Sequence, residues 1–126
     1  MSQQVFKSSG QIKALDGTSA VQFDCGAVRS SRSPRFDLIP RQGLVRLAHR
    51  YELGLKKYSR DNWRKGLSNE EWLDQLKCHM ADHMSKYLSN YDVKDDHLAA
   101  ICWGAFALIE AEYINSTKEQ DGPIQD

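Results

Sequence analysis

The sequence predicts a mainly α-helical domain. Two apolar stripes recur at helical spacing, one stretch is apolar nearly all round, and the first quarter is polar and turn-rich. In that first part, Gln11 to Ala14 and Ser19 to Phe23 suit two short strands, with Asp16-Gly17 as the turn between them. Ser30 to Pro34 suits a loop. Leu44, Leu47, Ala48, Tyr51, Leu55 and Tyr58 fall on one face of a first helix opening at Pro40, whose missing amide hydrogen costs nothing there. Ser59 to Ser68 reads as a loop. Ser68 and Glu71 have capping-box spacing. From there Trp72, Leu76, Met80, Met84, Tyr87 and Tyr91 set a second helix over about 69–90. Tyr91 to Lys94 connects it to a third, whose start suits Asp95 and Asp96 because their charge opposes the helix dipole. The third helix runs to about Asn115. It is apolar nearly all round from Leu98 to Ile109, which makes it central or pinned between protomers.

The boundaries are therefore an N-terminal arm over 1–33, a helical domain over 34–115 and a loose tail over 116–126. Three helices leave one apolar face too many for a monomer, so a second copy is expected to complete the bundle.

Composition narrows the function classes. The chain has 126 residues, 40% hydrophobic and 27% charged, enough to bury a core. Lys plus Arg equals Asp plus Glu at 17 each, which argues against a coat for extended nucleic acid or an anionic membrane. Met1 to Gly10 lacks the apolar core of a leader, and no run of about 18 apolar residues forms a membrane span. Cys25, Cys78 and Cys102 show no CxxC spacing, so neither a disulfide framework nor a zinc knuckle is expected. Cys102, in the apolar run, reads as buried filler. A cytoplasmic location suits all three thiols.

Three constellations carry chemistry. Glu70, Glu71, Asp74, His79, Asp82 and His83 lie on the second helix, while Asp92, Asp95, Asp96 and His97 enter the third. Glu71, Gln75, His79 and Asp82 share one flank, and His83 sits between that flank and the core. Carboxylates from two facing helices are a common way to hold Mg²⁺ or Mn²⁺ against a triphosphate. The plainer reading is caps, solvated acids and satisfied core histidines. Ser59 to Gly66, following Lys56, Lys57 and Tyr58, supplies cations for phosphate, Trp63 and Tyr58 as stacking faces, and Asn62 for a base edge. An ordinary loop whose Trp63 plugs the core explains the same residues equally well. In Arg35 to Pro40, Phe36, Leu38 and Ile39 bury, and Arg35 and Asp37 face a pocket or form a surface ion pair worth little. No phosphate-cradling Gly-rich loop, Ser nucleophile elbow or HExxH motif occurs.

Gly26-Ala27-Val28-Arg29, then Arg35-Phe36-Asp37-Leu38-Ile39-Pro40, then Lys57-Tyr58 and Asn62-Trp63 with Lys65-Gly66, then Asp96-His97-Leu98-Ala99-Ala100 resemble the phage-associated dATP/dGTP diphosphohydrolase domain family. The resemblance runs from about Gly26 to Glu112. That family is grouped with the MazG-like all-α nucleotide pyrophosphatases. It implies a MazG-like bundle of about three long helices, oligomers, Mg²⁺ or Mn²⁺, and cleavage of a purine dNTP to dNMP and pyrophosphate. It assigns catalysis to His79, Asp96 and His97. Substrate binding falls to Arg35, Asp37, Lys57, Tyr58, Asn62, Trp63 and Lys65, with Arg64 beside them. The MazG-like ligand pattern, Glu-Glu-x-x-Glu followed by Glu-x-x-Asp, is met by Glu70 to Asp74 and Asp92 to Asp95 if Asp replaces Glu twice. Together with His79 and Asp96, which the family resemblance stresses, the expected metal set is Glu71, Asp74, His79, Asp92, Asp95 and Asp96. The resemblance also expects Arg where Cys78 stands and Asn where Gly104 stands. A non-catalytic module that sequesters a nucleotide is the alternative function, and a helical oligomer contacting another protein is the third.

Overall fold

A computed structural model describes residues 10–120, in two compact units that divide between Ile39 and Pro40. The expectations for a leader and for the last residues fall largely on 1–9 and 121–126, outside the described residues.

The first unit is a small antiparallel sheet of three strands, β1 (Gly10–Lys13), β2 (Ser19–Gln22) and β3 (Val28–Ser30), in that order. The expected hairpin forms, with Ile12 opposite Ala20. Its turn closes because Asp16 Oδ1 accepts from the Thr18 amide at 3.0 Å and Gly17 takes φ +88°. The third strand follows a second turn at Gly26, with φ +91°, whose amide bonds back to the Phe23 carbonyl at 2.9 Å. A three-residue strand offers too little alternation to be read from sequence. A 3₁₀ turn over Phe36–Leu38 ends the unit.

The second unit is three helices. Helix α1 (Arg41–Gly54) starts after Pro40, which is its extended cap rather than its first turn. It stops at Gly54, so Leu55 and Tyr58 leave the expected stripe and are exposed. The expected loop after it contains a 3₁₀ segment over Asn62–Gly66. Helix α2 (Glu70–Leu88) is capped by Asn69, not Ser68: the Asn69 side chain accepts from the Trp72 amide at 2.9 Å. Helix α3 (His97–Gln120) runs past the predicted end at Asn115.

Helix α3 packs against both other helices, which makes it the central element. Its buried positions Ala100, Gly104, Ala107 and Ala111 recur every three or four residues, and their small size lets α1 and α2 approach closely. Cys102 points away from this stripe and is exposed, contrary to the buried filler expected. By length and composition His97–Thr117 is apolar enough to cross a membrane, with mean hydropathy 1.3, although a span was not expected. In this unit the same segment is the shared packing surface of α1 and α2. Tyr51, Trp63 and Trp103 form an aromatic cluster, with ring centroids 6.1 to 6.4 Å apart.

The predicted α2 stripe holds for Trp72, Leu76 and Met80 and then fails. Met84, Tyr87 and Tyr91 are exposed, and His83 is buried instead. Steps of four residues drift by roughly 40° each on a 3.6-residue helix, so the core-facing line slips back to position 83. A histidine thus occupies a core position of the helix.

Candidate functional site

Helix α2 ends at Leu88, and the chain turns through two left-handed residues, Asn90 (φ 54°) and Asp92 (φ 49°), before α3 begins. Asp96 caps α3, with Oδ1 accepting from the Ala99 amide at 3.1 Å. The acids expected at this helix start are therefore there, and arginines from α1 hold them. Arg46 grips Asp96 with two bonds of 2.6 and 2.8 Å, and Arg50 bonds Asp95 Oδ1 at 2.7 Å. Arg46 and Arg50 are one turn apart on α1, so consecutive acids meet consecutive turns of the facing helix.

Behind Asp95 lie two buried histidines, His83 and His97, each 4% exposed. Their Nδ1 atoms are 2.9 Å apart. His97 Nε2 lies 2.9 Å from the Tyr91 carbonyl and 2.8 Å from that of Asp92. A carbonyl only accepts, so Nε2 carries the hydrogen and Nδ1 the lone pair. Arg50 only donates, so its 3.5 Å contact makes His83 Nε2 an acceptor and leaves the hydrogen on His83 Nδ1, aimed at His97. His79 stacks edge-on against His83 at 4.4 Å and is exposed.

Burial, then the charge on His79 and on Arg50, holds the His83 imidazole below its ordinary pKa. Burial, then Arg50, does the same for His79. Asp95 is also lowered: burial opposes its charge, but the Arg50 hydrogen bond and charge outweigh it. Asp96 is lowered chiefly by the Arg46 hydrogen bond. A histidine whose folded pKa is depressed gives stability that is full above its unfolded value and is lost as pH falls below it. The chelator-treated protein is thus expected to lose stability once pH falls below the ordinary histidine value of about 6.5, well before carboxylates titrate. Urea midpoints from pH 7.5 to 5 read this, and His83→Gln is expected to flatten the slope. Arg50, His79, Asp95 and His97 all face that ring.

In front of these residues is a cleft of about 330 Å³, with Arg46, Lys86, Lys94, Asp95, Asp96 and His97 in its wall and Tyr87 and Tyr91 at its rim. A second, larger cleft of about 690 Å³ lies between α1, the 3₁₀ segment and α3, lined among others by Arg60, Trp63, Arg64 and Glu110.

The structure brings together only part of the residue set read from sequence. Asp95, Asp96 and His97 share one cleft wall. Glu71 and Asp74 stand in the first turns of α2, about 20 Å of helix from Asp92 and Asp95, which follow its last turn. They are exposed, and among the described residues Asp74 has only a 3.9 Å ion pair with Lys77. The two halves of the MazG-like acid pattern do not converge. Asp92 is exposed and contributes its backbone carbonyl to His97. Of the acids expected to hold Mg²⁺ or Mn²⁺, Asp95 keeps a carboxylate oxygen free of hydrogen bonds in the cleft wall, while both oxygens of Asp96 accept from Arg46.

Trp63 is clasped by Tyr51 and Trp103, with Arg64 over its ring at 4.5 Å, so the core-plug reading accounts for its position. Lys57, Tyr58, Asn62 and Lys65 line neither cleft. Arg35 and Asp37, in the first unit, satisfy each other through bonds of 2.7 and 2.6 Å, both exposed. Cys78 is exposed. At Gly104 the Met80 side chain fills the space, 2.5 Å from where a Cβ would stand, so the expected Asn would require Met80 to repack.

Sequence reasoning missed Arg46, Arg50, Lys86 and Lys94, and left His83 outside its site. The available signal was the pairing of Arg46 and Arg50, four apart, with adjacent acids.

Over residues 25–121 the chain matches the family described as dATP/dGTP diphosphohydrolase, N-terminal. It belongs to that family. The matched region takes in the whole of α1 and α2 and the connection that carries the cleft. No curated protein and no solved structure matches the chain.

Proposed function

We propose that this domain binds a purine deoxynucleoside triphosphate in the cleft at the α2–α3 connection and hydrolyses it to the monophosphate and pyrophosphate. The observation that carries this reading is the juxtaposition of three cationic side chains, Arg46, Lys86 and Lys94, with half-buried Asp95 and buried His97 in one cleft wall and buried His83 behind them. The activity by which the family is described supplies the substrate class. The cleft volume of about 330 Å³ suits a nucleotide.

In this reading the three cations take the triphosphate and disperse the charge that grows on departing pyrophosphate. Asp96 positions Arg46 through its two bonds. Lys94 has no ion pair among the described residues, which leaves its charge for phosphate. Tyr87 and Tyr91, both exposed at the rim, offer faces for the purine. Water attacks the α-phosphorus, the bond to the bridging oxygen breaks, and positioning with charge neutralisation supplies most of the acceleration. A divalent ion, when bound, would neutralise phosphate charge and acidify a bound water.

Ion-exchange separation of products from each dNTP with a panel of divalent ions tests the reaction. Monophosphate plus pyrophosphate from dATP or dGTP is the expected outcome. Intact nucleotide that stays with the protein through desalting would replace the enzyme by a sequestering module. Phe106, Ile109 and Tyr113 are exposed along α3 and support the homo-oligomer expected from sequence. Light scattering is expected to give a multiple of the chain mass, falling to one chain in Ile109→Glu.

A further inference from the structure

We propose that His83, Asp95 and His97 form a site for a single divalent transition-metal ion, held by the two Nδ1 atoms and the Asp95 Oδ2. The site deepens the reading above, because Asp95 and His97 also wall the cleft, but it stands on its own geometry. The three ligand atoms lie within 4.8 Å of one another. Ligands at about 2.1 Å from an ion sit about 3.0 to 3.5 Å apart. The Nδ1 atoms are already 2.9 Å apart, and Asp95 Oδ2 is 3.9 Å from His83 Nδ1, so the carboxylate needs only a small swing.

The surroundings hold the ligands as a metal site requires. His97 Nε2 donates to two backbone carbonyls, which fixes its ring and turns the Nδ1 lone pair inward. Arg50 holds Asp95 Oδ1 at 2.7 Å and leaves Oδ2 free. His83 supplies the one change that binding demands. Its proton must leave Nδ1 for Nε2, which gives up the 2.9 Å bond to His97 Nδ1 and the long 3.5 Å contact with Arg50 in exchange for two bonds to the ion. Two imidazoles inside the protein are otherwise linked by one shared N–H···N bond.

The donor set also selects the ion. Mg²⁺ prefers oxygen ligands, and two of the three donors here are imidazole nitrogens. Two imidazoles with one carboxylate favour ions later in the first transition row, in the order Mn²⁺ below Co²⁺ below Ni²⁺, with Zn²⁺ also well suited. Of the two ions expected from the family resemblance, Mg²⁺ or Mn²⁺, Mg²⁺ is therefore the poorer fit.

Co²⁺ is the probe. Metal-free full-length protein is titrated with CoCl₂ alone and read by visible d–d absorption, with histidine tautomers read by ¹⁵N NMR using diamagnetic Zn²⁺. The expected result is one Co²⁺ per chain, displaced by Zn²⁺ and not by a large excess of Mg²⁺, with the His83 proton moving to Nε2. His83→Gln and Asp95→Asn, which keep side-chain volume and polarity, are expected to weaken binding at least about tenfold with unchanged circular dichroism. Glu71→Gln and Asp74→Asn are expected to bind as wild type. The proposal is overturned by folded protein that gives no d–d bands, by binding that survives both site variants, or by equal competition from Mg²⁺. A thiolate charge-transfer band would likewise overturn it, by placing the ion on Cys25, Cys78 or Cys102. Failure here leaves the hydrolase reading standing if dNTP is still cleaved, and Co²⁺ binding without turnover retires that reading alone.

Discussion

Replacing Gly66 with alanine is expected to cost the helical unit about 3 kcal/mol of stability. Gly66 is buried in the 3₁₀ segment that leads into α2. A Cβ there would lie 2.1, 2.4 and 2.6 Å from Cδ2, Cγ and Cε2 of Trp72. Those atoms are near the root of the indole, and the Trp72 backbone is pinned by the Asn69 cap, so the ring has little freedom to yield. Gly104→Ala is the control for flexible crowding. It meets Met80 Cγ and Sδ, at 2.5 and 2.6 Å, and a thioether chain repacks more cheaply, for about 1 kcal/mol. Gly43→Ala meets nothing within 4 Å inside α1 and is expected to stabilise by about 0.5 kcal/mol. Urea midpoints in the order Gly43→Ala, wild type, Gly104→Ala, Gly66→Ala are the predicted pattern. A Gly66→Ala protein as stable as wild type would contradict the packing around Trp72.

Removing the Arg46 guanidinium is expected to lower kcat/KM for dATP or dGTP about 100-fold. Arg46 is the cleft cation held most firmly, because Asp96 takes it in a planar fork while its side chain stays half exposed toward the cleft. The pair is too exposed for its loss alone to unfold the unit, so the activity loss separates from stability. Asp96→Asn gives the matching test of positioning. It keeps an oxygen to cap α3 but loses the charge that holds Arg46, so a smaller loss confined to KM is expected. Equal kcat/KM in wild type and Arg46→Ala, with unchanged unfolding midpoints, would remove Arg46 from the site.

The helical unit was legible because burial on α1, α2 and α3 follows the 3.6-residue period, and Asp96 signals a helix start in any context. The hairpin was legible from Asp16-Gly17, whose turn chemistry is local. What the sequence concealed depends on contacts between distant segments. Position 83 is buried only because the α2 stripe drifts, and nothing local to His83 reveals that His97 faces it. Arg46 and Arg50 look like surface residues of α1 until α3 places Asp96 and Asp95 against them. Trp63 looked as suited to stacking as to packing, and its partners Tyr51 and Trp103 lie 12 and 40 residues away. The acid pattern of Glu70 to Asp74 and Asp92 to Asp95 had plausible spacing in sequence. A 19-residue helix nonetheless holds its two halves at opposite ends.

The central claim is that the nucleotide sits at the α2–α3 connection, and backbone amide shifts locate it without requiring turnover. The measurement is a ¹H–¹⁵N spectrum of the full chain titrated with α,β-methylene dGTP, which the proposed reaction cannot cleave. The account predicts saturable shifts over Asn90 to Leu98 and at Arg46, with the amides of Arg60 to Arg64 unmoved. Shifts confined to Arg60 to Arg64 and Phe106 to Glu110 would put the nucleotide in the larger cleft beside Trp63 and contradict the account.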